Sequence, residues 1–203
     1  MKIIGNTGLP TYGLASVEPL FLSEMTVGAG KSIVNVQQFY KNVSIWGSTS
    51  STVTDVDMDL RKGILNLQLS YPRVTLEAEY SMMGRILVLP VIGHGNCSII
   101  LDNAKPNYQA KFDIVTKRGK KFIKIKNQNY SVNAGFAKYH FGNFFNGNQM
   151  LGDEINKVLN DNWKEIYDEV IPGYEAAIGI LLTNIANRFF LKVPLSEIFL
   201  PET

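Results

Sequence analysis

HFGNFFNGNQMLGDEINKVLNDNWKEIYDEVIPGYEAAIGILLTNIANRFFLKVPLSEIF, residues 140–199, is the stretch of sequence that decides the fold. After a polar Gly/Asn turn, apolar residues recur at spacings of three and four, which is typical of an amphipathic helix. The pattern covers about 40 residues and predicts a helical rod of roughly 60 Å. Pro172-Gly173 interrupts the pattern, so we expect a kink or a break there. A helix of this length with an apolar stripe throughout needs a partner along its whole length.

Residues from about 17 to 141 supply that partner, because they read as a series of short strands separated by Gly, Pro, Asn and Ser. The clearest alternation is VTLEAEYSM at residues 74–82, which has one apolar face and one polar face. Gly93-His94-Gly95 and residues 117–121 (KRGKK) read as turns between strands, and RILVLP at residues 85–90 reads as a strand. Consecutive short strands favour an antiparallel sheet over a parallel α/β sheet. The sequence therefore predicts an α+β fold in which an antiparallel sheet packs around one long helix.

Composition excludes several classes of function. The chain has 203 residues and a formal net charge of +2, which is too small to indicate nucleic-acid binding. No apolar run reaches the roughly 18 residues that a transmembrane helix needs, so we expect no stable membrane insertion. Cys97 is the one cysteine, which excludes an intrachain disulfide and by itself is typical of a cytosolic protein. Three glycosylation sequons, at Asn42, Asn96 and Asn129, point instead towards secretion.

The sequence offers no catalytic constellation, and we predict that the protein is not an enzyme. His94 and His140 lie on different segments and lack the spacing of a zinc site, so we expect neither a metal nor a cofactor. Cys97 and His140 could form a nucleophilic pair, but Cys97 lies in a strand pattern and reads as a buried, inert thiol. The acidic residues of the helix fall mostly off its apolar stripe and read as a solvated face.

Several motifs in a fixed order make the chain resemble the insect takeout and juvenile-hormone-binding family. Each motif is weak alone, but their order along almost the whole chain is specific. The motifs are Gly8-Leu9-Pro10 with Glu18-Pro19-Leu20, residues 84–95 (GRILVLPVIGHG), residues 143–148 (NFFNGN), residues 151–153 (LGD), residues 159–163 (LNDNW) and residues 193–199 (VPLSEIF).

The resemblance implies one domain over residues 1–203, in which a strongly curved antiparallel sheet wraps one long C-terminal helix around an elongated apolar tunnel. It also implies a secreted haemolymph carrier of small lipids, with a carrier or receptor partner that the sequence does not identify. The family normally begins with a further segment that carries a cysteine pair, and we expect that segment to be absent here. No apolar signal-peptide core follows Met1, so we expect the leader to be either missing or never present. Juvenile-hormone binders proper carry a second disulfide, so this chain resembles the takeout side of the family.

We predict reversible binding of a small elongated hydrophobic ligand, such as a terpenoid, a juvenile-hormone-like compound or a fatty acyl compound. Apolar contacts would supply the affinity, and a hydroxyl of Tyr80, Tyr130 or Tyr174 would supply a polar contact. The predicted lining residues are Val74, Leu76, Ala78, Tyr80 and Met82 on one wall, Ile155, Leu159, Trp163, Ile166, Val170, Tyr174, Ile178 and Leu182 on the helix wall, and Val88, Phe112, Tyr130, Phe136 and Phe141 on the rest of the sheet.

An alternative from another class is a module that binds a protein or a membrane surface, with a filled core and no internal ligand. It would use the basic turn at residues 117–121. A solvated hairpin turn is the more ordinary interpretation of such a cluster of charges. A hydrolase that uses Cys97 or His140 is a more distant alternative.

Overall fold

Residues 7–12, 14, 16–28 and 33–199 are described by the structure, which is a computed structural model. The described residues form seven strands and three α-helices, joined by short turns. The strands are β1 (Leu20–Val27), β2 (Val34–Trp46), β3 (Thr52–Asp59), β4 (Ile64–Ile86), β5 (Leu89–Lys117), β6 (Lys120–Asn133) and β7 (Phe136–Phe141), and the helices are α1 (Gln149–Asp161), α2 (Trp163–Phe190) and α3 (Leu195–Ile198).

β4 and β5 form one long hairpin that is the spine of the sheet. β2 pairs with the last part of β4, and β1 pairs with the other edge of β2. β7 pairs with the first part of β5. We call the region formed by these pairings the first half-sheet. β3 pairs with the first part of β4 and β6 pairs with the last part of β5, which forms the second half-sheet. All of these pairings are antiparallel, and α2 contacts strands of both half-sheets. The predicted α+β fold, a long C-terminal helix with a curved antiparallel sheet, is therefore confirmed.

The spine strands are much longer than the sequence predicts. β4 has 23 residues and β5 has 29, and β5 runs without interruption through Gly93-His94-Gly95, which we expected to be a turn. Gly93 is needed for a close approach of aromatic side chains. A Cβ added there would lie 2.6 Å from both the Phe144 ring and the Tyr80 hydroxyl.

Two hairpin turns flank β5, and the sequence predicts only one of them correctly. Leu87-Val88 is the turn between β4 and β5, so the prediction of a strand at residues 85–90 is wrong. Leu87 adopts a positive φ of 53°, an unusual conformation for a leucine. The predicted turn at residues 117–121 is confirmed, because Arg118 (φ 49°) and Gly119 (φ 76°) form a two-residue connection of the kind that matches the twist of the strands.

α1 and α2 confirm the long helical segment, but its interruption lies elsewhere than predicted. The break is at Asn162 (φ −112°, ψ 31°), whereas α2 runs through Pro172. Pro172 is exposed, so the carbonyl that its ring leaves without a donor can bind water. Gly173 lies against β1, where a Cβ would come within 2.7 Å of Val27 Cγ1. This glycine therefore permits close packing and does not end the helix.

Side chains of α1 close the free edge of β7. The side-chain amide of Asn156 accepts a hydrogen bond from the Phe141 N–H and donates one to the Phe141 carbonyl, both at 2.9 Å. Asn160 pairs in the same way with the N–H (2.9 Å) and carbonyl (2.8 Å) of Tyr139. The two asparagines thus take the place of a neighbouring strand, which satisfies backbone groups that an open edge would leave unpaired.

Side chains of α2 close the free edge of β6 in the same manner. Asn187 accepts from the Ile125 N–H at 2.8 Å and donates to its carbonyl at 3.1 Å. Glu175 accepts from the Val132 N–H at 2.8 Å, and the Tyr167 hydroxyl donates to the Val132 carbonyl at 2.5 Å. We call the pairs made by Asn156, Asn160, Glu175 and Asn187 the edge clamps.

Candidate functional site

Half of the predicted lining residues come together in one buried cluster between the first half-sheet and the helices, which we call the first core. Its sheet members alternate with exposed residues along β4 and β7, and its helix members recur at spacings of three and four. A cavity of about 20 Å³ remains in this core, which is space for about one water molecule. The predicted residues buried here are Leu76, Ala78, Tyr80, Met82, Phe141, Ile155, Leu159, Ile166 and Val170.

A buried polar cluster faces this cavity. Gln38 Oε1 lies 2.6 Å from the Tyr40 hydroxyl and 2.9 Å from the Tyr174 hydroxyl, and the two hydroxyl oxygens are 2.5 Å apart. Gln38 Nε2 makes no hydrogen bond to a described residue. Desolvation raises the pKa of both tyrosines, so the cluster stays neutral at physiological pH. The cluster can therefore donate hydrogen bonds but carries no charge.

Sequence reasoning identified Tyr174 but missed Gln38 and Tyr40. β2 alternates strictly between buried and exposed residues, and Gln38 occupies a buried position between Val36 and Tyr40. A glutamine in the inward phase of an otherwise apolar strand is the signal that could have found it, because buried polar side chains need partners.

Three tyrosines combine partial accessibility with strong desolvation. Tyr71, Tyr130 and Tyr174 are only half-buried, yet desolvation is the largest cause of a raised pKa in each. The Tyr130 hydroxyl makes no hydrogen bond to a described residue. By contrast, the Tyr80 hydroxyl donates to the Gly142 carbonyl at 2.7 Å, so it is already occupied.

Other predicted lining residues lie under the second half-sheet or next to it. Phe112 is buried in a smaller apolar cluster, the second core, against which Tyr130 and Leu182 pack. Val74 and Ile178 are half-buried. On the side of β3 and β4, the apolar residues that meet the second core are also only partly buried: Met58, Leu60, Leu65 and Leu67.

Two predicted lining residues, Val88 and Phe136, lie outside this interior. Val88 is 84% exposed because it forms the β4–β5 turn. Phe136 is 38% exposed because β6 ends at Asn133 and β7 begins anew, so Phe136 does not share the face of Tyr130. Its ring lies edge-on to that of Trp163, with 5.2 Å between centroids, and Trp163 is partly buried and also packs against the first core.

Among the described residues, Cys97 and His140 do not come together as a nucleophilic pair. Cys97 is buried, and burial raises the pKa of its thiol to about 12, so thiolate is scarce at neutral pH. His140 is exposed and lies opposite Ser98, on the other face of the sheet from Cys97. In the described part of the chain, no three His, Cys, Asp or Glu residues are grouped so as to hold a metal ion. Among the described helices, none combines the length and apolarity of a membrane span.

Comparisons with known proteins match this chain over nearly its whole length. The sequence model of the family described as haemolymph juvenile hormone binding protein matches residues 4–200. Circadian clock-controlled protein daywake of Drosophila melanogaster is 23% identical, with 95% of this chain and 77% of that protein covered, and the Drosophila yakuba protein is 22% identical, with 96% and 78% covered. Takeout 1 of Epiphyas postvittana has a crystal structure that superposes with a TM-score of 0.82 at 27% identity, covering 95% of this chain and 88% of that one.

Proposed function

Because this chain belongs to the haemolymph juvenile hormone binding protein family, we propose that it binds and carries one small elongated hydrophobic ligand between the sheet and α2. The ligand is a terpenoid, a juvenile-hormone-like compound or a fatty acyl compound with an uncharged oxygen at one end. No covalent step is involved.

The observation that carries this proposal is the state of Tyr71, Tyr130 and Tyr174. Each of these side chains is desolvated by the surrounding protein and still keeps part of its surface accessible, which suits a position in the wall of a ligand channel. Further along α2, half-buried Ile178 packs against the first core and half-buried Leu182 packs against the second core. These residues support an apolar channel that starts at Tyr174 and runs under the second half-sheet.

Apolar burial supplies the affinity. Each methylene removed from water contributes about 0.8 kcal/mol, so a chain of about ten contributes roughly 8 kcal/mol before the cost of association. The cavity of about 20 Å³ in the first core is far too small for such a chain. The half-buried side chains near Ile178 and Leu182 therefore have to move apart when the ligand binds, and the first core stays packed.

The cluster of Gln38, Tyr40 and Tyr174 selects the polar end of the ligand. Its neutral donors suit an ester, epoxide or ketone oxygen, whereas an ionised carboxylate would be buried without a cation, which is costly. The residues that line the adjacent cavity, among those described, carry no charge. Tyr130, whose hydroxyl makes no hydrogen bond to a described residue, offers a second polar contact further along the channel.

Native mass spectrometry of the purified protein, followed by organic extraction, tests for the ligand directly. We expect a co-purifying apolar compound, or stoichiometric uptake of an added terpenoid ester or fatty acyl ester. Ile178→Trp should fill the channel and abolish uptake. Ile180→Trp is the matched control, because Ile180 is 61% exposed on the same helix. A protein that stays free of ligand after incubation with these compounds would favour the alternative of an interaction module with a filled core.

A second test concerns the polar end. The methyl ester of a fatty acid should bind more tightly than the ionised acid. Gln38→Leu should weaken ester binding by about five-fold, since a net hydrogen bond contributes about 1 kcal/mol. An equal affinity of the wild-type protein for ester and acid would contradict the assignment of this cluster.

Secretion is part of the proposal and is supported by the sequons. Asn42, Asn96 and Asn129 are all exposed on the sheet. Asn42 Nδ2 donates to Glu79 at 2.8 Å, and this contact has to open before a glycan can be attached. Expression through the secretory pathway of insect cells should give a protein whose mass falls on treatment with an N-glycosidase, and an unchanged mass would count against all three sites.

A further inference from the structure

The hairpin of residues 105–126, formed by the end of β5 and the start of β6, concentrates positive charge. It contains eight Lys or Arg residues and one acidic residue, a net charge of +7, while the whole chain carries only +2. The remaining residues therefore carry a net charge of −5. We call this segment the basic hairpin.

Most charges of the basic hairpin are not neutralised by the residues that the structure describes. Lys126 pairs with Asp113, and Lys120 lies 3.8 Å from Glu197, with all four side chains largely exposed. Exposed pairs of this kind contribute little. The other cations are exposed and make no ion pair with a described residue: Lys105, Lys111, Lys117, Arg118, Lys121 and Lys124.

The basic hairpin also borders the apolar interior. Its inward residues Phe112, Ile123 and Ile125 are buried in the second core, against which Leu182 and Phe190 of α2 pack. Ile114, between the lysines, is 40% exposed. A cluster of exposed cations is attracted to an anionic lipid surface, with a contribution of about 1 kcal/mol from each cation.

We propose that the basic hairpin docks this protein on the surface of an anionic phospholipid bilayer. The lysines on the outward face of the hairpin contact lipid phosphates and carboxylates, while the second core stays buried on the opposite face. A flat lipid surface suits lysines as point charges, whereas recognition of single phosphate or carboxylate groups favours the arginine fork. Seven of the eight cations are lysines. Docking follows from charge and position and does not require that the proposed internal ligand exists.

Co-sedimentation with vesicles tests the docking. Wild-type protein should bind vesicles of phosphatidylcholine with about one third phosphatidylserine, but not pure phosphatidylcholine vesicles, and salt should release it. Lys111→Gln with Lys124→Gln should weaken binding about 30-fold, since each cation near an anionic surface contributes a factor of about five. The matched control is Lys41→Gln with Lys138→Gln, which removes two exposed cations from the first half-sheet and should leave binding unchanged.

Three outcomes would overturn the proposal. They are equal binding to both kinds of vesicle, an equal loss in both double variants, or retention on heparin through Lys111 and Lys124 without vesicle binding, which would assign the hairpin to a soluble polyanion. A further measurement distinguishes docking on the bilayer from binding of an internal ligand. It is the uptake of an apolar ester from solution by the Lys111→Gln, Lys124→Gln variant. That uptake should equal the wild-type value, because neither lysine faces the interior.

Discussion

The two halves of the helical segment differ in how completely they are packed, although both lie under one sheet. In residues 172–190, the buried residue is Gly179, and every apolar side chain keeps part of its surface accessible. Residues 149–171 contribute five buried side chains: Ile155, Leu159, Ile166, Tyr167 and Val170.

The difference comes from the sheet more than from the helix. Under the first half-sheet the helix lies between two strand edges, with β1 and β2 on one side and β7 on the other. Under the second half-sheet it packs along β6, while Leu65 and Leu67 of β4 remain partly exposed. A helix enclosed from both sides forms a filled core, whereas a helix held from one side leaves apolar surface that a guest molecule can cover.

We call residues 149–171 the packed end of the helical segment and residues 172–190 the loose end. The largest expected effect is a loss of stability when the packed end is mutated. Leu159→Ala should lower the free energy of unfolding by about 3 kcal/mol, because Leu159 is 2% exposed and its loss leaves a cavity. Leu182→Ala should cost only about 1 kcal/mol, because Leu182 is half-buried and less apolar surface is involved. Urea denaturation of both variants measures the difference. Equal losses would mean that the two ends are packed alike.

Many of the buried positions can be predicted from the sequence, because they recur with the period of a strand or of a helix. The alternation at residues 74–82 placed Leu76, Ala78 and Tyr80 on one buried face, as found. The spacing of Ile155, Leu159 and Ile166 did the same for the helix. The resemblance to a family added the long helix wrapped by a curved sheet, which pattern alone reached only in part.

The errors share a physical cause, which is that some residues serve tertiary contacts and not local structure. Gly93 makes room for Phe144 and reads as a turn, and Gly173 makes room for Val27 and reads as a helix end. Sequence reasoning assigned no role to the clamp asparagines Asn156 and Asn187, because their partners are backbone groups of distant strands. Gln38 has partners that no local pattern reveals.

The edge clamps allow a second comparison of the packed end with the loose end. Asn160 of α1 holds the edge of β7, and Asn187 of α2 holds the edge of β6. Asn160→Ala and Asn187→Ala each leave one strand N–H and one carbonyl without a partner, so each should cost about 2 kcal/mol. Asn184→Ala, on the exposed face of α2, is the control and should be nearly neutral. Hydrogen exchange should quicken at the Tyr139 amide in the first variant and at the Ile125 amide in the second. If Asn187→Ala leaves the free energy of unfolding unchanged, the hydrogen bonds of Asn187 do not stabilise the edge of β6.

The smallest effect at neutral pH comes from Cys97, whose buried thiol belongs to the first core. Burial raises the pKa of the thiol from its ordinary value of 9.0 to about 12. Above about pH 9 the unfolded chain loses this proton while the folded protein keeps it. The unfolded state then binds fewer protons, so the free energy of unfolding falls as the pH rises from about 9 towards 12, and below about 9 it is unaffected.

Comparing the wild-type protein with Cys97→Ala isolates this contribution, because the buried tyrosines remain in both proteins. The difference in free energy of unfolding between pH 7 and about pH 10 should be larger for the wild type. Identical pH dependence would mean that Cys97 is ionised as easily in the folded state as in the unfolded state. The rate of alkylation of Cys97 also measures how readily the first core opens, because the buried thiol reacts only when that core is open. Asn160→Ala should speed that alkylation, whereas Leu182→Ala, which acts at the second core, should leave it unchanged.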